Sequence, residues 1–202
     1  MYSVENLSNK ISFQIGTTYN KDADYIAKLN YGLQVLFLST TKLILLLIIG
    51  YFLNILIPMV IAIGSFSIIR RFAFGLHCSS SRSCSIITVL VFVGQVYLFK
   101  FITVNPYILY AIAAMSLLIL YKYAPADTKK RPIVSKKLRK KLRLKSVITA
   151  CILITAALIT PNYLYKTIII VNLFIEALCT LPLTYKIFGR EINNYEKFSF
   201  NN

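Results

Sequence analysis

Long apolar segments alternate with short polar ones along most of this chain. Five of the apolar segments carry at most one charged residue each, and they cover residues 43–64, 85–104, 106–124, 146–160 and 167–183. A helix of roughly 20 apolar residues crosses the hydrocarbon core of a bilayer, and several of the five come close to that length. The pattern predicts an all-α, polytopic integral membrane protein with about five or six membrane segments, an amphipathic N-terminal region included.

Residues 1–42 are predicted to form amphipathic N-terminal helices, since in the first twenty residues single apolar residues such as Val4, Leu7 and Ile11 are interleaved with polar ones. This pattern is typical of helices that lie along the membrane surface. The start of the chain lacks a basic patch followed by an apolar core, so we expect it to be retained and not cleaved as a secretion signal.

The first long span, predicted at residues 43–69, raises a question of topology. A single crossing by residues 43–64 would leave the preceding residues outside the cell. Alternatively, residues 31–41, which are too short to cross alone, pair with this span as a re-entrant or tilted element. We favour the second arrangement, which keeps the N-terminus on the cytoplasmic side.

Two helical hairpins are predicted further along, at residues 85–124 and 146–184. The first turns at Asn105 and Pro106 and the second at the sequence TPNY, residues 160–163, because Asn and Pro favour turns. The remaining segments of this single membrane-embedded domain, residues 1–202, are an interfacial segment (70–84), a basic cytoplasmic loop (125–145) and a cytoplasmic tail (185–202).

The charge of the chain is strongly positive, with 23 Lys and Arg against 7 acids and a formal net charge of +16. Eleven of the basic residues fall between Lys122 and Lys145, where Asp127 is the sole acid. In a soluble protein such a balance would suggest nucleic acid, but in a membrane protein Lys and Arg collect on the cytoplasmic side. We therefore expect contact with anionic lipid and no nucleic-acid partner.

One polar stretch, FGLHCSSSRSC at residues 74–84, contains the only histidine, His77, together with Cys78 and Cys84. In a continuous helix the backbones of His77 and Cys84 would lie roughly 10 Å apart, too far for a direct hydrogen bond. Because Gly75 and the serines weaken a helix, we expect a bend between these two residues.

Three interpretations of this stretch remain open from the residues alone. It could be a polar interfacial loop without chemistry. It could bind a metal through His77, Cys78 and Cys84, although the sequence offers no convincing fourth ligand. It could hold a cysteine nucleophile that the imidazole activates by removing the thiol proton.

The run RRFAFGLHCSSSRSC, residues 70–84, resembles the signature of the accessory gene regulator B family, the membrane cysteine endopeptidases of Gram-positive peptide quorum sensing. The matching positions are Arg70, Arg71, Gly75, His77 and Cys84. Two further runs are also similar to the family, YAPADTKKRPI (123–133) and GLQVL (32–36), and the hydrophobic profile agrees over essentially the whole chain. Cys78 is not part of the motif.

The resemblance implies a membrane cysteine endopeptidase that processes an AgrD-like precursor peptide. Cys84 would attack the carbonyl that joins the central segment of the precursor to its acidic tail, with His77 as base and then acid. The precursor's own thiol or hydroxyl would then close a thiolactone or lactone ring, giving an autoinducing peptide. The resemblance implies no cofactor or metal, places the protein in the bacterial cytoplasmic membrane with its active site on the cytoplasmic side, and is compatible with a homodimer.

Supporting roles are predicted for residues around this pair. The acidic tail of the precursor needs a basic receptor, and the candidate receptor residues are Arg70, Arg71, Lys129, Lys130 and Arg131. The alternative is that these five residues only set the membrane topology. Gln34 could donate to the oxyanion or bond to another helix, and Gly75 matters through its lack of a side chain. The rival functions are a polytopic peptide exporter and a non-catalytic signalling scaffold.

Overall fold

The computed structural model describes residues 2–76, 81–127, 133–191 and 194, and within these the chain forms eight α-helices. They are α1 (Tyr2–Thr18), α2 (Ala23–Phe52), α3 (Leu56–Ala73), α4 (Ser81–Phe101), α5 (Pro106–Tyr123), α6 (Lys136–Ile159), α7 (Tyr163–Thr180) and α8 (Pro182–Ile187). Six of them, α2 to α7, are long and apolar enough to cross a membrane. The prediction of an all-α polytopic membrane protein is confirmed.

The chain divides into two compact units, residues 1–49 and residues 50–202. In the first unit, α1 and the beginning of α2 are joined by a short turn in which Asn20 has a φ of 49°. The side chain of Asp22 accepts a hydrogen bond from the Tyr25 backbone N–H at 3.0 Å, which satisfies one free donor at the start of α2. The amides of Asn9 in α1 and Asn30 in α2 also hydrogen-bond to each other.

The beginning of the membrane region differs from the prediction for residues 31–41 and 43–64. Residues 31–41 form no separate re-entrant element, since they lie in the middle of the continuous, 30-residue helix α2. The apolar run at 43–64 is not one span either, because it is interrupted between Phe52 and Leu56. The predicted first span is thus divided between α2 and α3.

Local chemistry explains where α2 ends. Asn54 has a φ of 53°, a left-handed conformation that asparagine tolerates better than most residues. The next residue, Ile55, donates its N–H to the Gly50 carbonyl at 2.8 Å and thereby satisfies one of the last carbonyls of the helix. Pro58 then falls in the first turn of α3, where its missing N–H costs no helical hydrogen bond.

Helix α7 is the central element of the second unit. It packs against α3, α4, α5, α6 and α8. The apolar core around it combines large residues such as Leu109, Leu120 and Leu173 with small ones such as Ala113 and Ala177. Small residues allow helices to approach closely, and the resulting van der Waals packing is one of the forces that hold helices together in lipid.

The two predicted hairpin turns, at residues 105–106 and 160–163, each lead into a capped helix. Asn105 caps α5 by accepting the Tyr107 N–H at 2.9 Å, and Pro106 is the first residue of the helix. Asn162 caps α7 in the same way by accepting the Tyr165 N–H at 3.3 Å. Both turns lie where Asn and Pro interrupt the apolar pattern.

The predicted basic loop at 125–145 is partly helical. Ser135 accepts the Leu138 N–H at 3.3 Å and caps α6, which begins at Lys136. The basic residues from Lys136 to Lys145 therefore form the first turns of a helix that continues as an apolar span. Lys and Arg are good helix formers, as Leu is, so the positive charge of this segment does not by itself indicate a loop. The predicted tail from residue 185 likewise begins inside α8, where Tyr185 is buried.

A buried polar network joins α3, α4 and α7 within the second unit. Asn172 donates to the Ala62 carbonyl at 3.0 Å and to Ser65 Oγ at 3.1 Å, and it accepts a hydrogen bond from Gln95 at 2.7 Å. Asn172 is fully buried. Because unsatisfied polar groups are costly in lipid, this network stabilises the packing of the three helices.

We expect Asn172→Leu to lower the free energy of unfolding by about 1 kcal/mol, the scale of interhelical hydrogen bonds in membranes. The variant removes three hydrogen bonds and leaves the Gln95 amide without its partner. Denaturant-induced unfolding in detergent micelles measures the effect. Ile152→Leu, a volume-conserving change on an exposed position of α6, is the control and should leave stability unchanged. Equal stability of both variants would contradict a stabilising role of the network.

Candidate functional site

The segment that precedes His77 is held by backbone hydrogen bonds on two sides. After the end of α3, Gly75 donates its N–H to the Ala126 carbonyl and Ala126 donates to the Ala73 carbonyl, both at 3.0 Å. On the other side, Leu76 donates its N–H to the Cys179 carbonyl in α7, also at 3.0 Å. Residues 73–76 are thus fixed between the segment that follows α5 and the end of α7.

Gly75 has a conformation and surroundings that exclude a side chain. Its φ is +116°, which L-residues with a side chain rarely adopt. A Cβ atom there would lie 3.0 Å from the carbonyl oxygen of Cys179 and 3.3 Å from its carbonyl carbon. Since both are backbone atoms of a packed helix, they cannot move aside cheaply. These contacts give a physical reason for glycine at this position.

Arg70 points inward and contacts this segment. Its Nη1 donates to Glu176 Oε2 at 2.8 Å, and its Nη2 donates to the Leu76 carbonyl at 2.6 Å. The guanidinium carbon also lies 5.4 Å from the centre of the Phe66 ring, within the range of a cation–π interaction. Glu176 is fully buried in α7. The charge of Arg70 is therefore already paired inside the protein.

Two other described residues predicted for the site are Arg71, in α3, and Gln34, in α2. Arg71, next to Arg70 in the chain, is exposed. Gln34 lies in α2 within the first unit, where it is half-buried and donates to Asn30 Oδ1 at 3.3 Å. That hydrogen bond lies within α2. One of the two interpretations expected a bond from Gln34 to another helix, and this bond does not join two helices.

Cys84 is the fourth residue of α4. Its thiol is free, its residue is half-buried, and its carbonyl accepts a hydrogen bond from Thr88 Oγ1 at 2.6 Å. Within the described parts of the chain, the helix thus begins three residues before Cys84. Cys84, the nucleophile predicted from the sequence, therefore lies on a regular helix, close to the N-terminal end of α4.

Five of the predicted or discussed residues lie outside the described ranges: His77, Cys78, Lys129, Lys130 and Arg131. The bend between His77 and Cys84 and the contact of these two side chains therefore stay predictions. Among the described residues, no cluster of His, Cys, Asp and Glu could hold a metal ion. That result does not test the metal interpretation, because two of its three ligands are among the five.

The second motif run, beginning at Tyr123, also makes specific contacts. The Ala124 carbonyl accepts a hydrogen bond from Arg143 Nε at 2.9 Å, and the Asp127 carbonyl accepts one from the Tyr185 hydroxyl at 3.0 Å. Burial raises the pKa of the Tyr185 phenol above its ordinary value, and the nearby Asp127 raises it further, so the phenol remains a hydrogen-bond donor. The tertiary structure brings the run at 123–127 next to the run that ends at Leu76.

The interpretation of the sequence missed Glu176 as a partner of this site. A signal for it exists, because Glu176 is the one charged residue in the apolar run 167–183. Ionisable residues inside membrane segments are rare and are functional or paired by default. The identity of the partner, Arg70, depends on packing between α3 and α7.

The fold and the site together define a polytopic helical membrane protein in which two distant sequence motifs meet just before its one histidine. Comparison with known proteins agrees with this description, since a sequence profile of the accessory gene regulator B family matches residues 5–180. An AgrB-like protein of Clostridium acetobutylicum is 33% identical over 195 residues, which cover 96% of this chain and 93% of that protein. No solved structure matches the chain.

Two further relatives agree with the same assignment. An AgrB-like protein of Listeria innocua is 32% identical over 180 residues, covering 89% of this chain and 88% of that protein. The accessory gene regulator protein B of Staphylococcus intermedius is 30% identical over 183 residues, covering 91% of this chain and 96% of that protein. The chain belongs to the accessory gene regulator B family, and it is accordingly a membrane component of an accessory gene regulator, or quorum-sensing, system.

We expect Gly75→Ala to lower the free energy of unfolding by about 1–3 kcal/mol, the cost of holding a residue in a sparsely populated backbone conformation. The added methyl group would also press on the Cys179 backbone. Thermal unfolding in detergent measures the loss.

Gly64→Ala is the matched control for this prediction. Gly64 lies inside α3, and beyond its chain neighbours and the local backbone of that helix, an added Cβ would meet open space among the described residues. Alanine is a better helix former than glycine, so this variant should be as stable as the natural protein or more stable. A Gly75→Ala protein as stable as the Gly64→Ala protein would contradict the account of Gly75.

Proposed function

We propose that this protein is a membrane cysteine endopeptidase that removes the C-terminal tail of an AgrD-like precursor and promotes cyclisation of the remaining peptide. The observation that carries the proposal is the anchoring of residues 74–76. Both backbone polar groups of Leu76, the residue before the only histidine, are hydrogen-bonded, to Cys179 and to Arg70. Family membership and the free thiol of Cys84 on α4 support the same conclusion.

In the first step, His77 removes the thiol proton of Cys84 and the sulfur attacks the carbonyl that joins the central segment to the tail. The C–S bond forms and the C–N bond of the scissile peptide breaks. The imidazolium returns its proton to the departing amine, and the central segment remains on Cys84 as a thioester. The step needs no cofactor and no metal.

In the second step, a thiol of the precursor attacks the thioester and regenerates the Cys84 thiol. Exchange between two thioesters is nearly balanced in energy, so the activation captured in the first step is kept in a thiolactone product. A hydroxyl in place of the thiol would give a lactone. Water competes by hydrolysing the thioester, and a site at the membrane interface limits its access while it holds the attacking group close.

The position of Cys84 suits this chemistry. A nucleophile on a regular helix is held more firmly than one on a loop, and a precise arrangement of nucleophile and base is needed for attack. The N-terminal end of a helix also carries partial positive charge. Negative charge that develops during the attack is favoured there.

The acidic tail of the precursor requires a basic receptor on the cytoplasmic side. Arg71 is exposed and suited to this role, and Lys129, Lys130 and Arg131 are the further proposed members. The first turns of α6 add exposed Lys136, Lys137, Lys140 and Lys141. Arg70 is less suited to a receptor role, because its guanidinium is bonded to Glu176 and Leu76.

The first test of the proposal is the reaction of purified protein in lipid vesicles with the precursor peptide, followed by mass spectrometry. We expect a tail fragment, a cyclised peptide and a covalent adduct on Cys84. Cys84→Ala and His77→Ala should each abolish cleavage, since they remove the nucleophile and the base. Cys78→Ala should keep most activity, and Cys151→Ala, on an exposed position of α6, is the matched cysteine control.

Two results would contradict this mechanism. Cleavage by the Cys84→Ala protein would show that another group is the nucleophile. An inactive Cys78→Ala protein together with an active Cys84→Ala protein would assign the nucleophile to Cys78 instead of Cys84.

A second prediction concerns salt. If basic residues hold the acidic tail, cleavage of the natural precursor should slow several-fold as ionic strength rises, because the Debye length falls from about 10 Å at 0.1 M to about 3 Å at 1 M. A precursor whose tail carboxylates are replaced by amides should show little salt dependence. Arg71→Gln should weaken the salt dependence of the natural precursor. Equal salt dependence of both precursors would contradict the proposal that basic residues bind the acidic tail.

A further inference from the structure

A buried ion pair between α3 and α7 lies directly beside the anchored segment. Glu176 is fully buried, and its Oε2 accepts a hydrogen bond from Arg70 Nη1 at 2.8 Å. An ionised carboxylate inside a membrane helix is costly unless it is paired, and such residues commonly have a function. The partner is Arg70.

The geometry of this pair is incomplete as an ion pair. Arginine and a carboxylate commonly form two parallel hydrogen bonds. Here Glu176 Oε1 is buried and accepts no hydrogen bond from any described residue. The second terminal nitrogen of the guanidinium, Nη2, is directed instead to the Leu76 carbonyl at 2.6 Å. The arrangement therefore serves the backbone of Leu76 as well as the carboxylate.

Residues of α7 thus hold both the backbone N–H and the backbone carbonyl of Leu76, one directly and one through Arg70. The Cys179 carbonyl accepts the Leu76 N–H directly. Glu176, three residues earlier on the same helix, orients the guanidinium that donates to the Leu76 carbonyl. Because a peptide unit is planar, fixing the Leu76 carbonyl oxygen fixes the plane of the peptide unit through which residue 77 is attached.

We propose that Glu176 and Arg70 are positioning residues for His77: Glu176 orients Arg70, and Arg70 holds the carbonyl of Leu76, the residue to which His77 is joined. This inference rests on the proposed function, in which His77 is the base. It replaces the expectation from the sequence that Arg70 binds the acidic tail of the substrate.

A kinetic experiment separates three roles of the pair: positioning, substrate binding and stability alone. The variants are Glu176→Gln, which removes the charge at nearly constant shape, and Arg70→Lys, which keeps the charge but loses the planar fork. The control is Asn172→Leu, which removes buried hydrogen bonds of the same helix one turn earlier, without a bond to residues 74–76. Activity is measured in vesicles per folded protein, with the natural precursor and with one whose tail carboxylates are amides.

We expect kcat to fall about 10- to 100-fold in both test variants, the scale of misplaced catalytic groups, with KM nearly unchanged and with the same loss for both precursors. The Asn172→Leu protein should keep its activity per folded molecule. A rise in KM confined to the natural precursor would overturn the proposal in favour of substrate binding. A loss that disappears after correction for folded protein, or that Asn172→Leu shares in full, would overturn it in favour of stability alone.

A second measurement does not depend on turnover. Since the chain has one histidine, imidazole ¹⁵N labelling gives ring signals from His77 alone, provided that the purification tag contains no histidine. With the protein in detergent micelles, the ring signals should shift or split in Glu176→Gln and Arg70→Lys and match the natural protein in Asn172→Leu. Superimposable spectra of the natural and Glu176→Gln proteins would overturn the positioning role.

The two measurements also separate this inference from the proposed function. If the natural protein does not cleave the precursor but the ring signals respond to Glu176→Gln, the function fails and the structural link between Glu176 and His77 stands. If cleavage proceeds through Cys84 while kcat and the ring signals are unchanged in both variants, the positioning role alone fails.

Discussion

The short parallel contact between residues 73–76 and Ala126, completed by the Cys179 carbonyl, is the constraint on which the site depends. A chain that leaves a helix near the membrane exposes backbone groups that lipid cannot satisfy. Here the free donors of Gly75 and Leu76 find carbonyls on two other elements. Those carbonyls are in place only when α5 and α7 are packed correctly, so the local geometry before His77 depends on the whole second unit.

Polar residues on α7 connect the packing of the bundle to the site. Asn172 bonds to α3 and α4, and Glu176, one turn later, bonds to Arg70 of α3. Lipid tails are as apolar as leucine side chains, so hydrophobicity alone does not select one register of helices in a membrane. The contact of Glu176 with Arg70 selects the register that brings Cys179 against Leu76 and Gly75, and the Asn172 contacts one turn earlier add stability to the packing of α7.

The adjacent residues Arg70 and Arg71 show how one short motif can serve two purposes. Successive residues of a helix point about 100° apart, since a turn contains 3.6 residues. Arg70 faces α7 and pairs with Glu176, whereas Arg71 is exposed. Only the exposed arginine has a guanidinium available to an acidic ligand, although the two residues look equivalent in the sequence.

The sequence by itself determined the all-α polytopic class, the turns near Asn105 and Asn162, the family and the residues with candidate chemistry, because apolar runs, helix caps and motifs are local signals. It did not determine where α2 ends, because Asn54 is one weak interruption in a long apolar run, nor that α6 begins at Lys136, because a basic helix and a basic loop have similar composition. The pairing of Arg70 with Glu176, 106 residues apart, and the anchoring of Leu76 on Cys179 were decided only by the tertiary structure. The physical reason is that a buried charge or a free backbone donor specifies that it needs a partner, while the packing of helices in three dimensions decides which partner lies within reach.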